Sequence, residues 1–242
     1  MPMTATSANA LSTDEFLDAV HAGVLKTAVV DFDGTLWPGD AGSGFMNWSI
    51  QTGLLSPAAA EHLLHRHACY RRGEVDEISI CGEMTQIYRG LEESSVRASA
   101  AEYFRQHVRP HFFPVMVKLV HDLQAKEVEV WAVSSTNNWM IEEGVREMNI
   151  QPHRVLAAAV VVEQGRITDT LVHVPSDEGK AEALRRVGLD RPDAVFGNSV
   201  HDLAMLKMAA KPFPVNPSEE LARQASELGW PVYYPVSTET AE

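Results

Sequence analysis

The stretch that most constrains this chain is Ala28-Val29-Val30-Asp31-Phe32-Asp33-Gly34-Thr35-Leu36. Its apolar opening has the composition of a buried strand and breaks into two carboxylates one residue apart. Gly34 lets the chain turn sharply there and bring its backbone close to a ligand. Open α/β sheets hold their ligands beyond the carboxyl ends of the strands. Asp31 and Asp33 therefore stand where such a site forms. Two negative charges held that close repel each other unless a cation lies between them. The pair points to Mg2+-assisted attack by one carboxylate while the other moves protons.

The rest of the chain supplies a matching scaffold. Residues 1–11 are polar and small and read as a disordered leader, with no basic start followed by an apolar core. Ser12-Thr13-Asp14-Glu15 reads as a capping box opening a short helix. A first strand is expected over 27–31. Residues 37–114 show helical spacing and no convincing strand, with Ser56-Pro57 opening one helix and Arg89-Gly90 separating helices over 74–88 and 92–107. Alternation then resumes: helix 115–125, strand 128–133, helix 136–149, a hairpin over 155–162 and 166–172, helix 178–187 and strand 194–196. A helix over 201–208, a short edge strand over 213–215 and a last helix follow, that helix capped at Asn216-Pro217 and ended by Gly229. The pattern predicts an α/β fold, a Rossmann-like, mostly parallel sheet flanked by helices. Its core would be 12–36 and 115–242, with an all-helical cap inserted at 37–114.

Composition narrows the function classes. A formal net charge of −13 argues against a nucleic-acid or anionic-membrane surface. Cys69 and Cys81 are too few for a disulfide framework, and no apolar run reaches membrane-spanning length. A soluble, cytoplasmic protein is the expectation.

Three further groups sit where an anion site would need them. Ser134 follows the second strand, where a hydroxyl beside a helix N-terminus would offer an oxyanion a donor and a favourable dipole. Taken alone, Ser134, Ser135 and Thr136 read as capping the next helix. Lys180 lies near the start of a helix, an unfavourable place for a cation without an anion or solvent nearby. In Gly197-Asn198-Ser199-Val200-His201-Asp202, Asn198 and Asp202 could reach a metal or its waters, or Ser199 and Asp202 could form a capping box. His62, His65 and His67 near Cys69 lack the spacing of a zinc site and read as a half-exposed helix face.

Taken in order, these groups resemble the haloacid-dehalogenase-like superfamily, and within it the phosphoserine-phosphatase-like branch. The likeness rests on Asp31-Phe32-Asp33-Gly34-Thr35, Val133-Ser134, Gly179-Lys180-Ala181 and the 197–202 loop, and covers nearly all of 25–234. It implies that Asp31 attacks phosphorus to give an aspartyl-phosphate. Asp33 would protonate the leaving alkoxide and then activate water. Asp31, the carbonyl of Asp33 and the Asn198 side chain would hold Mg2+. Gly34, Ser134 and Lys180 would bind the transferring oxygens, and Asp202 would hold the metal's water shell or Lys180. The family usually has Asp at position 198, so this chain carries one negative charge fewer and weaker metal binding is expected. His201 stands where the phosphoserine phosphatases usually carry Asn.

The same resemblance bears on substrate. Counting without gaps, Asp40 falls where a carboxylate receives the substrate amine, and Met84 falls where an arginine receives the substrate carboxylate. Methionine cannot pair with a carboxylate, so phosphoserine is disfavoured. A small phosphomonoester with an amine or quaternary ammonium end fits better. Trp37 and Trp48 could face such a cation or pack the cap. Gly39, Gly42, Gly44 and the turn near Pro110 and Pro114 read as hinges of a lid. Two rivals remain open: a phosphotransferase using the same intermediate, and a catalytically weakened binding or regulatory member.

Overall fold

A computed structural model describes residues 9–236. Six strands form the main sheet: β2 (Thr27–Val30), β3 (Glu129–Asn137), β4 (Val155–Glu163), β5 (Arg166–His173), β6 (Ala194–Gly197) and β7 (Lys211–Pro214). Their order is β5-β4-β3-β2-β6-β7, with β5 antiparallel to β4 and every other pair parallel. A two-residue strand β1 (Ala10–Leu11) pairs in parallel with β8 (Val232–Tyr233) at one side. The expected leader therefore ends sooner than residue 11. Residues 1–8 lie outside the described residues, while Ala10-Leu11 is held by the backbone of the C-terminal segment.

Both faces of the central strands are buried, which is why they read as unbroken apolar runs. Ala28 and Val30 turn toward α1 (Thr13–His21), α6 (Pro114–Ala125) and α7 (Asn138–Glu147), packing with Phe16, Met116, Leu119 and Val145. Val29, Trp131, Val133 and Val195 turn to the other face, where α8 (Glu178–Arg186), α9 (Leu203–Met208) and α10 (Glu219–Leu228) bring Leu184, Met205, Leu206 and Leu221. The capping box at the start of α1 is formed as read: Ser12 and Glu15 bond each other's backbone N–H.

Between β2 and α6 lie α2 (Ala41–Gln51), α3 (Pro57–Arg71), α4 (Glu77–Gln86), α5 (Glu93–Tyr103), a π turn (Phe104–Val108) and a 3-10 turn (Arg109–His111). The inserted segment is helical, as its spacing predicted. α4 starts later than residue 74 because Asp76 caps it, accepting from Ser79 N at 2.8 Å. A small apolar cluster of Met46, Leu63, Ile80 and Met84 joins α2, α3 and α4.

Two boundaries differ from expectation for identifiable reasons. β3 runs on to Asn137, kept in the sheet by pairing with β4 through a register shift after Ser134. The cap of α7 is accordingly Asn137, whose side chain accepts from Met140 N at 3.1 Å. Ser218, not Asn216-Pro217, caps α10, accepting from Leu221 N at 3.3 Å. Among the described residues, no helix is long and apolar enough to cross a membrane.

Candidate active site

β2, β3 and β6 are neighbours in the sheet, and their carboxyl ends open onto one cavity of about 210 Å3. The sheet order reverses between β2 and β6, the position at which open α/β folds form ligand crevices. Asp31, Asp33, Ser134, Lys180 and Asn198 all line this cavity, as do Asp40 and Met84 from the cap side. Gly34 borders it through contact with Asn198. Asp202 lies one layer behind, fully buried.

Asp31 follows directly from β2, its N–H donating to Phe196 O at 2.9 Å. One carboxylate oxygen accepts from Lys180 Nζ at 2.8 Å and the other from Thr35 Oγ1 at 3.2 Å. Lys180 also donates to Asp202 Oδ1 at 2.5 Å. One ammonium is thus shared between two carboxylates. Burial, then the Asp202 charge, pushes Asp31 up to about 8 against the pull of Lys180. Burial works against the Lys180 charge too, but Asp202 and Asp31 outweigh it and hold the ammonium above its usual range. The cation near a helix N-terminus has its anions.

Asp33 points away from Asp31's partners and into a cradle of donors. Oδ1 accepts from Trp37 Nε1 at 2.8 Å and Ala41 N at 2.7 Å, and Oδ2 accepts from Thr136 Oγ1 at 2.7 Å. Burial and the nearby Asp40 push Asp33 up to about 6, while those three donors restrain the rise. A carboxyl that titrates near neutrality, held in one orientation, is suited to passing a proton both ways.

Ser134 is a strand residue, not a helix cap; the cap of α7, Asn137, lines the same cavity. The Ser134 hydroxyl oxygen accepts from Thr136 N at 3.1 Å, which leaves its proton to donate into the cavity. The 197–202 loop does two things at once. Asp202 Oδ2 accepts from the backbone N–H groups of Asn198 and Ser199 at 2.8 and 2.9 Å, forming the capping box, while Oδ1 takes Lys180. The two alternatives seen in the sequence are therefore compatible.

Gly34 has φ +74°, and a Cβ there would lie 1.8 Å from Asn198 Nδ2. Only glycine allows the β2 turn and the β6 loop to approach this closely. Asn216, at φ +46°, closes the same corner by donating from Nδ2 to Gly34 O at 3.1 Å. Asn198 commits its backbone N–H to Asp202 and its carbonyl to Ser218 N at 2.7 Å. Its side-chain amide remains to face the cavity.

The donor set around this corner is a carboxylate, a backbone carbonyl and an amide oxygen. Hard, hydrated Mg2+ takes all-oxygen sets of this kind. The buried, only partly neutralised Asp31 is the charge such an ion would compensate, so these residues fit it. Among the described residues, no cluster of three or more His, Cys, Asp or Glu is placed to hold a metal. Two of the three expected donors are of neither kind. Nor do the helix α3 histidines gather: His67 meets Ser43 Oγ at 3.1 Å and His65 meets Cys69 Sγ at 3.7 Å.

The model of the haloacid dehalogenase-like hydrolases matches residues 28–207. The chain belongs to that family. A histidinol-phosphatase of Neisseria meningitidis serogroup C is 26% identical over 217 residues, 85% of this chain and 96% of its own length. A solved protein of unknown function from Bordetella pertussis Tohama I superposes with a TM-score of 0.76 at 23% identity, covering 87% of this chain and 99% of that one. A phosphoserine phosphatase solved as a phospho-aspartyl intermediate analogue has a TM-score of 0.59 at 13% identity, covering 89% and 95%. The two structural likenesses establish the shared fold of a haloacid dehalogenase-like hydrolase with a cap.

Several residues around this family's carboxylate pair escaped the sequence. Thr35, Thr136 and Trp37 each bond one of the two aspartates, and Thr136 is reached only because β3 runs four residues beyond its apolar pattern, to Asn137. Trp37 is buried, stacked on Phe112 at 5.2 Å, and does not line the cavity. Trp48 packs with Phe45 and Tyr103. Neither tryptophan faces the cavity as a cation platform. Gly42 and Gly44 lie in α2 at close approaches: a Cβ would meet Thr136 Oγ1 at 2.7 Å and Tyr103 Oη at 1.9 Å.

Proposed function

We propose that this phosphatase-type hydrolase cleaves a small phosphomonoester in two steps on Asp31, with Mg2+ as cofactor. The observation that carries it is the meeting of Asp31, Asp33, Ser134, Lys180 and Asn198 around one cavity at the ends of three adjacent strands.

Asp31, the Asp33 carbonyl and Asn198 would hold the ion. Bound there, Mg2+ supplies positive charge that keeps Asp31 ionised and neutralises the phosphate. Lys180 Nζ and Ser134 Oγ–H bind phosphate oxygens, Lys180 being aimed by its bond to Asp202. Asp31 attacks phosphorus and forms the aspartyl-phosphate. Asp33, oriented by Trp37, Ala41 and Thr136, gives a proton to the leaving alkoxide and later takes one from the attacking water. The cap excludes bulk water during the first step.

Phosphoserine is disfavoured. Met84 lines the cap side of the cavity, and among the described lining residues Lys180 is the sole lysine or arginine. A substrate carboxylate would be buried there without a partner. The relative named histidinol-phosphatase takes, by that name, an amino phosphomonoester without a carboxylate, which accords with this cavity.

The test is a panel of small phosphate esters assayed for phosphate release with Mg2+ and with chelator, for the wild type and Asp31→Asn. Metal-dependent release that Asp31→Asn lowers by about 1,000-fold or more is expected. Release unaffected by that substitution contradicts the reading. No release above background from any ester would leave a binding member, the alternative that Asn198 raises. Added alcohols separate hydrolysis from transfer: a hydrolase yields only inorganic phosphate.

A further inference from the structure

The cap end of the active cavity carries negative charge that the phosphate chemistry does not use. Asp40 and Glu77 both line it. Asp40, where the sequence placed the amine receiver, is committed to capping α2: Oδ1 accepts from Ser43 N at 2.9 Å and Oδ2 from Ser43 Oγ at 2.6 Å. Glu77 is not committed in the same way. Its Oε1 accepts from Cys81 Sγ at 3.5 Å, and Oε2 is buried with no partner at hydrogen-bond geometry. Burial, then a hydrogen bond to Glu77 and its charge, raises the Tyr70 phenol above its usual range. The carboxylate thus has a neutral donor beside it but no cation within hydrogen-bond reach.

The cations that could satisfy Glu77 from within the protein are otherwise engaged. Lys180 is held by Asp31 and Asp202. His201 Nε2 lies 3.7 Å from Glu77 Oε2, beyond hydrogen-bond reach, and its Nδ1 is 2.8 Å from Asp177 Oδ1. His67 lines the same wall, but burial and Arg71 hold it below the usual imidazole range. A buried carboxylate oxygen without a partner is costly. The residue itself lines a cavity walled on the apolar side by Ile80 and Met84.

We propose that Glu77, on cap helix α4, receives a cationic ammonium or imidazolium group at the end of the substrate opposite its phosphate. The inference rests on the proposed phosphomonoester reading and names its substrate class: a short cationic alcohol esterified to phosphate, with no carboxylate. Glu77 is a specificity residue; it takes no part in phosphoryl transfer.

The test compares kcat/KM for histidinol phosphate and phosphoethanolamine with that for uncharged n-propyl phosphate, in the wild type, Glu77→Gln and Glu77→Lys. Asp76 still caps α4 in both variants, and thermal unfolding verifies that they fold. Glu77→Gln is expected to lower the cationic-to-neutral ratio by roughly 10- to 100-fold. Glu77→Lys should move preference toward phosphoserine. Equal losses on charged and uncharged esters, or a wild type that prefers the uncharged ester, would overturn the proposal. Calorimetry with histidinol, which carries no phosphate, keeps this question separate from turnover. Binding weakened by the same factor in Glu77→Gln supports the site even if no ester is hydrolysed. Histidinol bound equally by both proteins, or by neither, overturns it.

Discussion

At the scale of single residues, the site is governed by a shortage of positive charge. Lys180 serves both Asp31 and Asp202, and burial, then the Asp202 charge, lifts Asp31 to about 8 because one ammonium does not offset both carboxylates. This has a sign that can be measured. A carboxylate raised above its unfolded value near 3.8 binds its proton more tightly in the folded state. Its ionisation therefore opposes folding, and stability is lost as pH rises from about 4 toward about 8. In metal-free buffer the melting temperature of the wild type should fall more steeply over that window than that of Asp31→Asn. Saturating Mg2+ should flatten the wild-type curve. Equal slopes with and without the Asp31 carboxylate would contradict this. Asn198 belongs to the same charge account. Asn198→Asp restores a carboxylate at a donor position, and Mg2+ should bind about 10-fold tighter by calorimetry, since ligand charge tunes affinity at oxygen sites. Unchanged or weaker binding would remove residue 198 from the donor set.

At the scale of elements, the close approach of two loops decides where those residues sit. The turn after β2 and the loop after β6 touch through Gly34 and Asn198, with no room for a methyl group. Gly34→Ala should cost at least about 1–2 kcal/mol in unfolding free energy from its positive φ alone, and should weaken Mg2+ binding because Asn198 is displaced. Wild-type stability and metal affinity in that variant would show the contact to be dispensable. The β4–β5 hairpin has a comparable placing role on the cap. Gly90 N donates to Ile167 O at 2.7 Å, Ile167 N to Leu91 O at 3.0 Å, and Glu93 N to Gly165 O at 2.8 Å. Gln86 Nε2 adds a bond to Asp169 O at 2.6 Å. The cap is thus stitched to the core by backbone bonds on one side, and Glu77 sits on the helix that these bonds orient.

At the scale of the whole molecule, the fold was legible wherever periodicity and turn chemistry agreed. The hairpin around Gly165 and the capping box at Ser12 formed as their residues implied because each is set by local contacts. The strand before Asp31 did so because an unbroken apolar run suits a strand buried on both faces. Asp31, Asp33, Ser134 and Asn198 from the strand ends and Lys180 from α8 line one cavity, an arrangement whose sequence order follows from the topology of the sheet. What stayed hidden depends on tertiary pairing. The pull of β4 carries β3 on to Asn137 and delivers Thr136 to Asp33, and no pattern within β3 announces it. The unpartnered oxygen of Glu77 is invisible for the same reason, since only the fold shows which neighbours are already taken. Trp37 packs among cap aromatics and also holds Asp33, a role its sequence position did not announce.

The central claim is that a carboxylate oxygen of Asp31 becomes bonded to phosphorus. Acid quenching during turnover of histidinol phosphate with Mg2+, followed by borohydride reduction and peptide mass spectrometry, tests it directly, because reduction turns an aspartyl-phosphate into homoserine. Homoserine at position 31, absent in Asp31→Asn and without Mg2+, is the predicted result. Continued phosphate release with position 31 unmodified, or modification at another carboxylate, would contradict it.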